Sequence, residues 1–512
     1  MPAKPHILFI VLDTMRRDRL SLYGYPRQTS PELDSLAQDA AVFDRAVAAA
    51  QWTIPSHTSM FTGLYPSTHG VTQADSVVPN QYPMLAELLR QGGYHTAAFC
   101  NNPLVGVLNN GLQRGFDRFY NYASAAPFRP AEARRSRFQR ELLHRFRRHV
   151  ARPIGNQFAR SDLLFRLSLN PVFVPLWTRL INYKGNSAHS IDDLIAYWEQ
   201  HTAGGAERPL FAFLNLMGSH LPYNPPQDAL DRLAPDMRRN KQAYPFMRRF
   251  NSEAARWASP TDPPLQDWEQ QTLYDFYDAE IAHQDAQLGR LFAYLKQSGV
   301  LQNTLVIICA DHGEGHGDHG FVGHGFVTHQ ELVHVPLIIR HPERFPAGGR
   351  LASTISTRRL FHTVLDVAGL QPQSEVNNAG LSLVDVAQGG ADVEDNLAMS
   401  EAFPPLTFLN VIEHRNPALI PRLKLHGVRR ALYAGSNKLT VIDQQVDGFF
   451  DVEADPTEVH NLAAGQSARV STLQRQLATL VSKAELQRAV PTAANIVDDS
   501  VVEHLRALGY IE

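Results

Sequence analysis

The sequence predicts an α/β protein: a mainly parallel sheet flanked by helices, followed by a small antiparallel subdomain. Three observations carry this. Four apolar runs, His6–Leu12, Tyr94–Cys100, Pro209–Leu216 and Thr304–Ala310, each end on polar residues. Such runs suit strands buried on both faces, as parallel strands are. Helical spacing lies between them, most plainly over Tyr274–Ser298, where Ile281, Leu288, Leu291, Phe292 and Leu295 share one side. Past a Gly-, Gln- and Asn-rich stretch at 370–395 the pattern changes to short alternating runs, Gly427–Leu432 and Lys438–Asp443, closed by a helix over Ser467–Ala484. A chain of 512 residues is long enough for one large and one small domain, here 1–380 and 381–512.

Composition narrows the function classes. With 44% hydrophobic and 19% charged residues the chain is ordinary for a globular protein. A net charge of −3 gives no field for nucleic acid. The two cysteines, Cys100 and Cys309, lie inside apolar runs and read as free thiols, which favours a reducing compartment. The apolar stretch after His6 is too short for the core of a signal peptide. No apolar run approaches the roughly 18 residues of a membrane span. The expected location is cytoplasmic.

Ligands in open α/β sheets sit at the carboxyl ends of the strands. Asp13, directly after the first run, is therefore placed either to hold a metal or to cap the next helix. Pro31–Ala40 reads as a short helix and Ala41–Ala49 as a small-residue segment leading to Trp52. The stretch Trp52–Gly63 offers Thr53, Ser56, His57, Thr58 and Ser59 around Pro55. It has no apolar face for a strand, but proline and hydroxyl residues suit the first turn of a helix, whose N-terminus attracts anions. The stretch reads either as an ordinary capped helix or as one that sets Thr53, a nucleophile, before a bound anionic ester. Pro83–Gly92 reads as a helix. Asn101, after the second run, is placed either to reach the substrate or to make a turn. Residues 126–186 carry thirteen Lys or Arg against three Asp or Glu. This basic segment reads either as a solvated helical pair on the rim or as a lid touching anionic substrate, lipid or a membrane surface.

His220 follows the third run in the setting H-L-P. A histidine there can move a proton or bind an anion. The fourth run ends on D-H-G-E-G-H-G-D-H-G-F-V-G-H-G, residues 311–325. With Asp13, an adjacent Asp311 and His312 make an oxygen and nitrogen metal site. His316 and His319 read either as site residues or as loop histidines.

The run Thr53-Ile-Pro-Ser-His57, with Thr62-Gly63 after it, resembles the nucleophile motif of the sulfatase family, a branch of the alkaline phosphatase superfamily. That motif reads C/S-x-P-S-R, then T-G. Asp13–Gly24 resembles the family's opening signature, and Phe449–Ala463 its terminal L-Y-D-L-x-x-D-P-x-E-x-x-N-L. The resemblance spans nearly the whole chain except 121–186, which reads as an insertion. It implies an alkaline-phosphatase-like mixed sheet and one divalent cation on Asp13, Thr53, Asp311 and His312. It also implies catalytic roles for Thr53, His57, His220 and His324, and substrate contacts from Ser56, His220, His324 and Asn101.

Three departures bear on the chemistry. Sulfatases need Cys or Ser at the nucleophile position for oxidation to formylglycine; Thr53, a secondary alcohol, yields only a ketone. His57 replaces the family arginine, and Thr14 replaces a second acidic ligand. Asp-His at 311–312, in place of Asp-Asn, resembles phosphonate monoester hydrolases and lipoteichoic acid synthases, which are associated with manganese. The expectation is a hydrolase acting on a phosphodiester or phosphonate monoester through a covalent Thr53 intermediate, with Mn2+ favoured over Zn2+ or Ca2+. The alternatives are a sulfuric ester hydrolase without formylglycine, a phosphoglycerol-type transferase and a non-catalytic binding member. Self-association is left open.

Overall fold

The computed structural model describes residues 4–106, 108–123, 184–203, 208–252, 260–372 and 379–488. In chain order its strands are β1 (His6–Leu12), β2 (Ala41–Val47), β3 (His95–Cys100), β4 (Arg118–Asn121), β5 (Leu210–Leu216), β6 (Thr304–Cys309), β7 (Gly315–His316), β8 (Val322–Gly323), β9 (His334–Arg340), β10 (Arg350–Ser356), β11 (Leu397–Ala402), β12 (Arg429–Ala434), β13 (Asn437–Ile442) and β14 (Gln445–Asp451). Eight of them form one sheet in the order β10-β2-β9-β6-β1-β5-β3-β4. Only β9 runs against its neighbours β2 and β6; the other pairings are parallel. The apolar runs are the central strands because both faces are covered. Ile7 through Leu12, Leu210 through Leu214 and Leu305 through Cys309 are all buried.

Four helices matter for the site: α1 (Pro31–Ala37), α2 (Thr53–Thr62), α3 (Asp267–Gln297) and α4 (Ser467–Leu486). The long α3 buries Leu273, Ile281, Leu288, Leu291 and Leu295 against the sheet. The second sheet, β11-β12-β13-β14, is antiparallel throughout. It packs against α4 through Leu432, Leu439, Phe449, Val470, Leu473 and Leu477. Among the described residues no helix is long and apolar enough to cross a membrane.

The structure revises several boundaries. The segment Ala41–Ala49 is not mere connection: its first seven residues are β2, held between β9 and β10. Ser353–Gly369 begins inside β10, and the helix there covers only Leu360–Val367. Neighbouring strands set both outcomes, a tertiary effect that local propensity does not carry. The chain also stays in the sheet to Asn121 as β4, where the resemblance breaks off. The helices expected within 126–186 lie outside the described residues, apart from the last three positions of that span.

Candidate active site

β1 and β6 are sheet neighbours in parallel register. Their carboxyl ends therefore deliver Asp13 and Asp311-His312 to one place. One ligand atom from each of Asp13, Asp311 and His312 lies within 4.8 Å of the others, and all three residues are buried. The two aspartates share their outer contacts unequally. Asp311 Oδ1 accepts from the backbone N–H of Thr14 at 3.3 Å and of His312 at 3.0 Å, while Asp311 Oδ2 has no hydrogen-bond partner. Asp13 Oδ2 accepts from Asn102 Nδ2 at 2.5 Å, while Asp13 Oδ1 has none. His312 Nδ1 donates to the Gly313 carbonyl at 2.9 Å, which leaves the Nε2 lone pair facing the aspartates.

α2 brings Thr53 to the same point as its first residue. Trp52 is extended ahead of it, and Gly63 ends the helix in the left-handed conformation. Thr53 Oγ1 stands 3.4 Å from His312 Nε2 and 3.5 Å from Asn102 Nδ2. Ser56 Oγ donates to the Asp311 carbonyl at 2.7 Å and so fastens α2 to the end of β6. Gly313 is required by the same close packing: a Cβ there would stand 1.9 Å from the Glu331 carbonyl oxygen.

The electrostatics call for a cation. Burial first, then the neighbouring Asp311 carboxylate, push Asp13 up to about 8; burial pushes Asp311 up to about 7. Burial, then His324, push His312 down to about 4. Two buried carboxyls, each with one unpaired oxygen, and an imidazole with its lone pair turned inward form a donor set without a counter-charge. Asp13, Asp311, His312 and the Thr53 hydroxyl therefore fit a divalent ion.

Around this core the sequence-derived candidates divide. His220 and His324 face each other with ring centroids 5.2 Å apart, and the His324 ring lies 4.5 Å from that of His312. His324 Nδ1 is 2.7 Å from Glu314 Oε1, and His220 Nδ1 is 2.6 Å from the Leu221 carbonyl. Burial drives both histidines to low values, about 4 for His324 and, with His324 as the second cause, about 3 for His220. His57 is enclosed by Phe61 and Phe213. Its Nδ1 is 3.0 Å from the Thr53 carbonyl and 3.5 Å from Asp311 Oδ2, and burial holds it down near 3. A neutral ring in that cage acts as a strut for α2. Asn101 packs beside Gly185, and neither of its amide atoms has a hydrogen-bond partner. Its neighbour Asn102 is the amide that reaches Asp13 and Thr53.

The remaining histidines of the 311–325 motif belong to the scaffold. His316 sits between Arg16 Nη1 at 3.1 Å and the Tyr223 hydroxyl at 2.7 Å. Arg16, itself buried, also pairs with Asp18 and Asp318 and donates to the Glu314 carbonyl. His319 bonds Glu331 and the Thr457 carbonyl of the C-terminal part. Sequence reasoning passed over Asn102 and Glu314. The signal for Glu314 was its place in D-H-G-E; for Asn102 there was none that separated it from Asn101.

A parallel sheet that collects two aspartates, a histidine and a helix-terminal hydroxyl at its carboxyl edge is the framework of a hydrolase acting on ester bonds. The chain belongs to the Sulfatase family, whose model matches residues 5–370. It is 23% identical to an ulvan-active sulfatase of Formosa agariphila, covering 94% of this chain and 81% of that protein. It is also 23% identical to an arylsulfatase of Clostridium perfringens, covering 90% of each. Among solved structures, the phosphonate monoester hydrolase of Agrobacterium radiobacter superposes with a TM-score of 0.64 at 22% identity, over 94% of this chain and 96% of that one. The fold is thus the alkaline-phosphatase-like fold that the motifs implied.

Proposed function

We propose that this protein hydrolyses a phosphodiester or phosphonate monoester, with Thr53 as the nucleophile. The observation that carries the reading is the Thr53 hydroxyl at 3.4 Å from His312 Nε2, beside two buried aspartates. A threonine in that position cannot become the aldehyde that formylglycine sulfatases use, so its own oxygen must attack. A divalent cation, when bound, neutralises the two carboxylates and lowers the pKa of the Thr53 hydroxyl; Asp13, Asp311, His312 and Thr53 would hold it, and a set containing imidazole favours Mn2+ or Zn2+ over Ca2+.

The chain's own residues do the rest. Asn102 holds Asp13 and lies beside Thr53 Oγ1, which fixes the nucleophile's approach. The backbone N–H groups at the start of α2 face the negative oxygens of the bound ester. Thr53 Oγ bonds to phosphorus, the ester oxygen leaves with a proton from the His220–His324 pair, and water then cleaves the phosphothreonine. Sulfate ester hydrolysis is the second reading, favoured by the sulfatases among the relatives.

The test is turnover of matched p-nitrophenyl esters (phosphodiester, phosphonate monoester, phosphomonoester and sulfate) with Mn2+, Zn2+ or Ca2+, in wild type and Thr53→Ala. Diester or phosphonate turnover that requires Mn2+ or Zn2+ and vanishes in Thr53→Ala is the expected result. Dominant sulfate turnover would overturn it.

A further inference from the structure

We propose that His6, His95 and His201 form an acid-released clasp that holds the end of the helix Ser187–Ala203 to the amino edge of the main sheet. The inference is independent of the hydrolytic reading above. His6 opens β1 and His95 opens β3, and β5 lies between them with both pairings parallel. Both rings therefore stand at the amino edge, at the other end of the strands from Asp13 and Asp311. The helix Ser187–Ala203 brings His201 to the same place in its last turn. The His201 ring stacks on that of His95, with centroids 5.3 Å apart and 17° from parallel, and meets that of His6 edge-on at 6.5 Å. Trp198, fully buried on the same helix, lies 5.6 Å from His6.

Hydrogen bonds fix where each ring can take a proton. The backbone N–H of Leu210 donates to His6 Nδ1 at 2.9 Å. That nitrogen must present its lone pair, so His6 is the neutral tautomer with its hydrogen on Nε2. A proton added at Nδ1 would break the bond to the first residue of β5. His201 Nε2 is 2.9 Å from the Arg208 carbonyl, which only accepts. Nε2 therefore carries the hydrogen, and Nδ1 is the nitrogen that titrates. His95 lies between Asp117 Oδ2, 3.3 Å from its Nδ1, and the Tyr197 hydroxyl, 2.6 Å from its Nε2. It alone of the three has a carboxylate beside it among the described residues. That carboxylate also accepts the Thr96 N–H and faces the Arg208 guanidinium at 3.8 Å.

Acid sets these rings against one another. A proton on His201 faces His95 across the stack and His6 at its edge, with the Arg208 and Arg118 guanidiniums adding positive charge around His95 and Asp117 opposing them. Burial first, and then His201, hold His6 below its ordinary 6.5. Burial first holds His95 below 6.5 as well; His201, Arg208 and Arg118 act in the same direction and Asp117 against them. A base whose folded value lies below its unfolded value favours the folded state only while it is neutral. The contribution is complete above about pH 6.5 and is lost as pH falls below it. The release is local to the last turns of the helix. Its earlier turns are held by Ile191 and Leu194 in the core, and the chain just ahead of it by Lys184, whose Nζ donates to Glu280 and to the Pro222 carbonyl near the site.

The experiment is amide hydrogen exchange between pH 5 and 7.5 in the presence of Zn2+, corrected for the intrinsic pH dependence of exchange, on wild type and on the double variant His6→Asn/His201→Gln. Asparagine at 6 keeps an acceptor where Nδ1 stood, and glutamine at 201 keeps a donor where Nε2 stood; neither takes up a proton. For each proton taken up on opening, the opening constant rises by up to about tenfold per pH unit. In wild type the opening of residues 197–203 should increase at least about tenfold from pH 7 to pH 5, with no matching increase in Asp267–Gln297. In the double variant the increase should fall below about threefold. Equal increases in wild type and variant, or an increase shared by Asp267–Gln297, would overturn the proposal. A readout that needs no stable variant is the 15N spectrum of histidine-labelled wild type. His6 should hold its hydrogen on Nε2 and begin to titrate only below about pH 6; a His6 ring that titrates at 6.5 or above would overturn the clasp.

Discussion

Without its cation the site sets two buried carboxyls against each other, and that conflict should be measurable as a pH-dependent stability. Asp13 is lifted from 3.8 to about 8 and Asp311 from 3.8 to about 7. An acid whose folded value lies above its unfolded value favours the folded state only while it is protonated. The contribution is complete below about pH 4 and is lost as pH rises through 7 and 8. At about 1.4 kcal/mol per unit, the Asp13 lift alone corresponds to a loss on the order of 5 kcal/mol across that window. The two lifts share one repulsion, so they do not add in full. A divalent ion replaces the protons and removes the conflict. The assay is calorimetric Tm from pH 5 to 8, with chelator and with Mn2+. The metal-free Tm should fall by several degrees as pH rises, and the rise in Tm on adding Mn2+ should grow over the same range. Asp285, also raised to about 7, caps α1 at Glu32 and Leu33 and tilts both curves alike, so the difference between them isolates the site. Asp311→Asn should flatten the metal-free curve and abolish the Mn2+ gain. A Mn2+ gain that is the same at pH 5 and pH 8, or that survives in Asp311→Asn, would refute the reasoning.

Other expectations follow from the same geometry. Thr53→Ala should lower kcat by at least about 10³-fold, near 4 kcal/mol, with Tm within a few degrees of wild type; a substantial residual rate would move the nucleophile elsewhere. Asn102→Ala removes the amide from the Asp13 carboxylate, a charged hydrogen bond worth about 1.5–3 kcal/mol, and should weaken Mn2+ binding by titration calorimetry roughly 10- to 100-fold. Arg16→Met removes the ion pairs to Asp318 and to the half-exposed Asp18, while Asp318 keeps the Tyr274 hydroxyl and the His316 N–H, and should cost about 1–3 kcal/mol in urea unfolding. Asn101→Ala, by contrast, should leave Mn2+ affinity unchanged, because that side chain makes no bond to the cluster.

Much of this site could be read from the sequence because its parts obey one rule. An apolar run that stops on an acid or amide marks the carboxyl end of a buried strand. That rule picked out Asp13 and Asp311 without knowledge of which strands adjoin. The helical start at Thr53 was equally legible, since Pro55 and the hydroxyls exclude a core strand there. What the pattern could not carry was the direction of side chains at the rim. Asn101 and Asn102 are chemically identical, and only the turn into Pro103–Gly106 aims the second at Asp13. The family resemblance makes Ser56 an anion contact, yet its hydroxyl is engaged by the Asp311 carbonyl. β2 was hidden because Ala41–Val47 is a strand by virtue of β9 and β10, which lie roughly three hundred residues away in sequence and close only in the folded sheet.

Composition alone does not make a metal site, and this molecule holds the comparison within itself. Among the described residues a second cluster, His319, His329 and Glu458, brings ligand atoms within the same 4.8 Å. Its charges, however, are already matched. Lys438 Nζ lies 2.6 Å from Glu458 Oε1 and, against the cost of burial, holds that carboxylate well below its usual range. Burial by itself would lower His319, but Glu331 at 2.8 Å overrides it and raises the imidazole to about 9. Both His319 nitrogens are thus donors, to Glu331 and to the Thr457 carbonyl. The His319 and His329 rings also stack face to face, 3.9 Å apart and 8° from parallel. Metal bonds to imidazole lie in the ring plane, so two stacked rings cannot both aim at one ion. Protons and a lysine do here what a divalent cation must do at Asp13 and Asp311. The His319 cluster ties the metal loop to the C-terminal part; the Asp13–Asp311 cluster keeps one oxygen of each carboxylate unpaired and its imidazole lone pair turned inward.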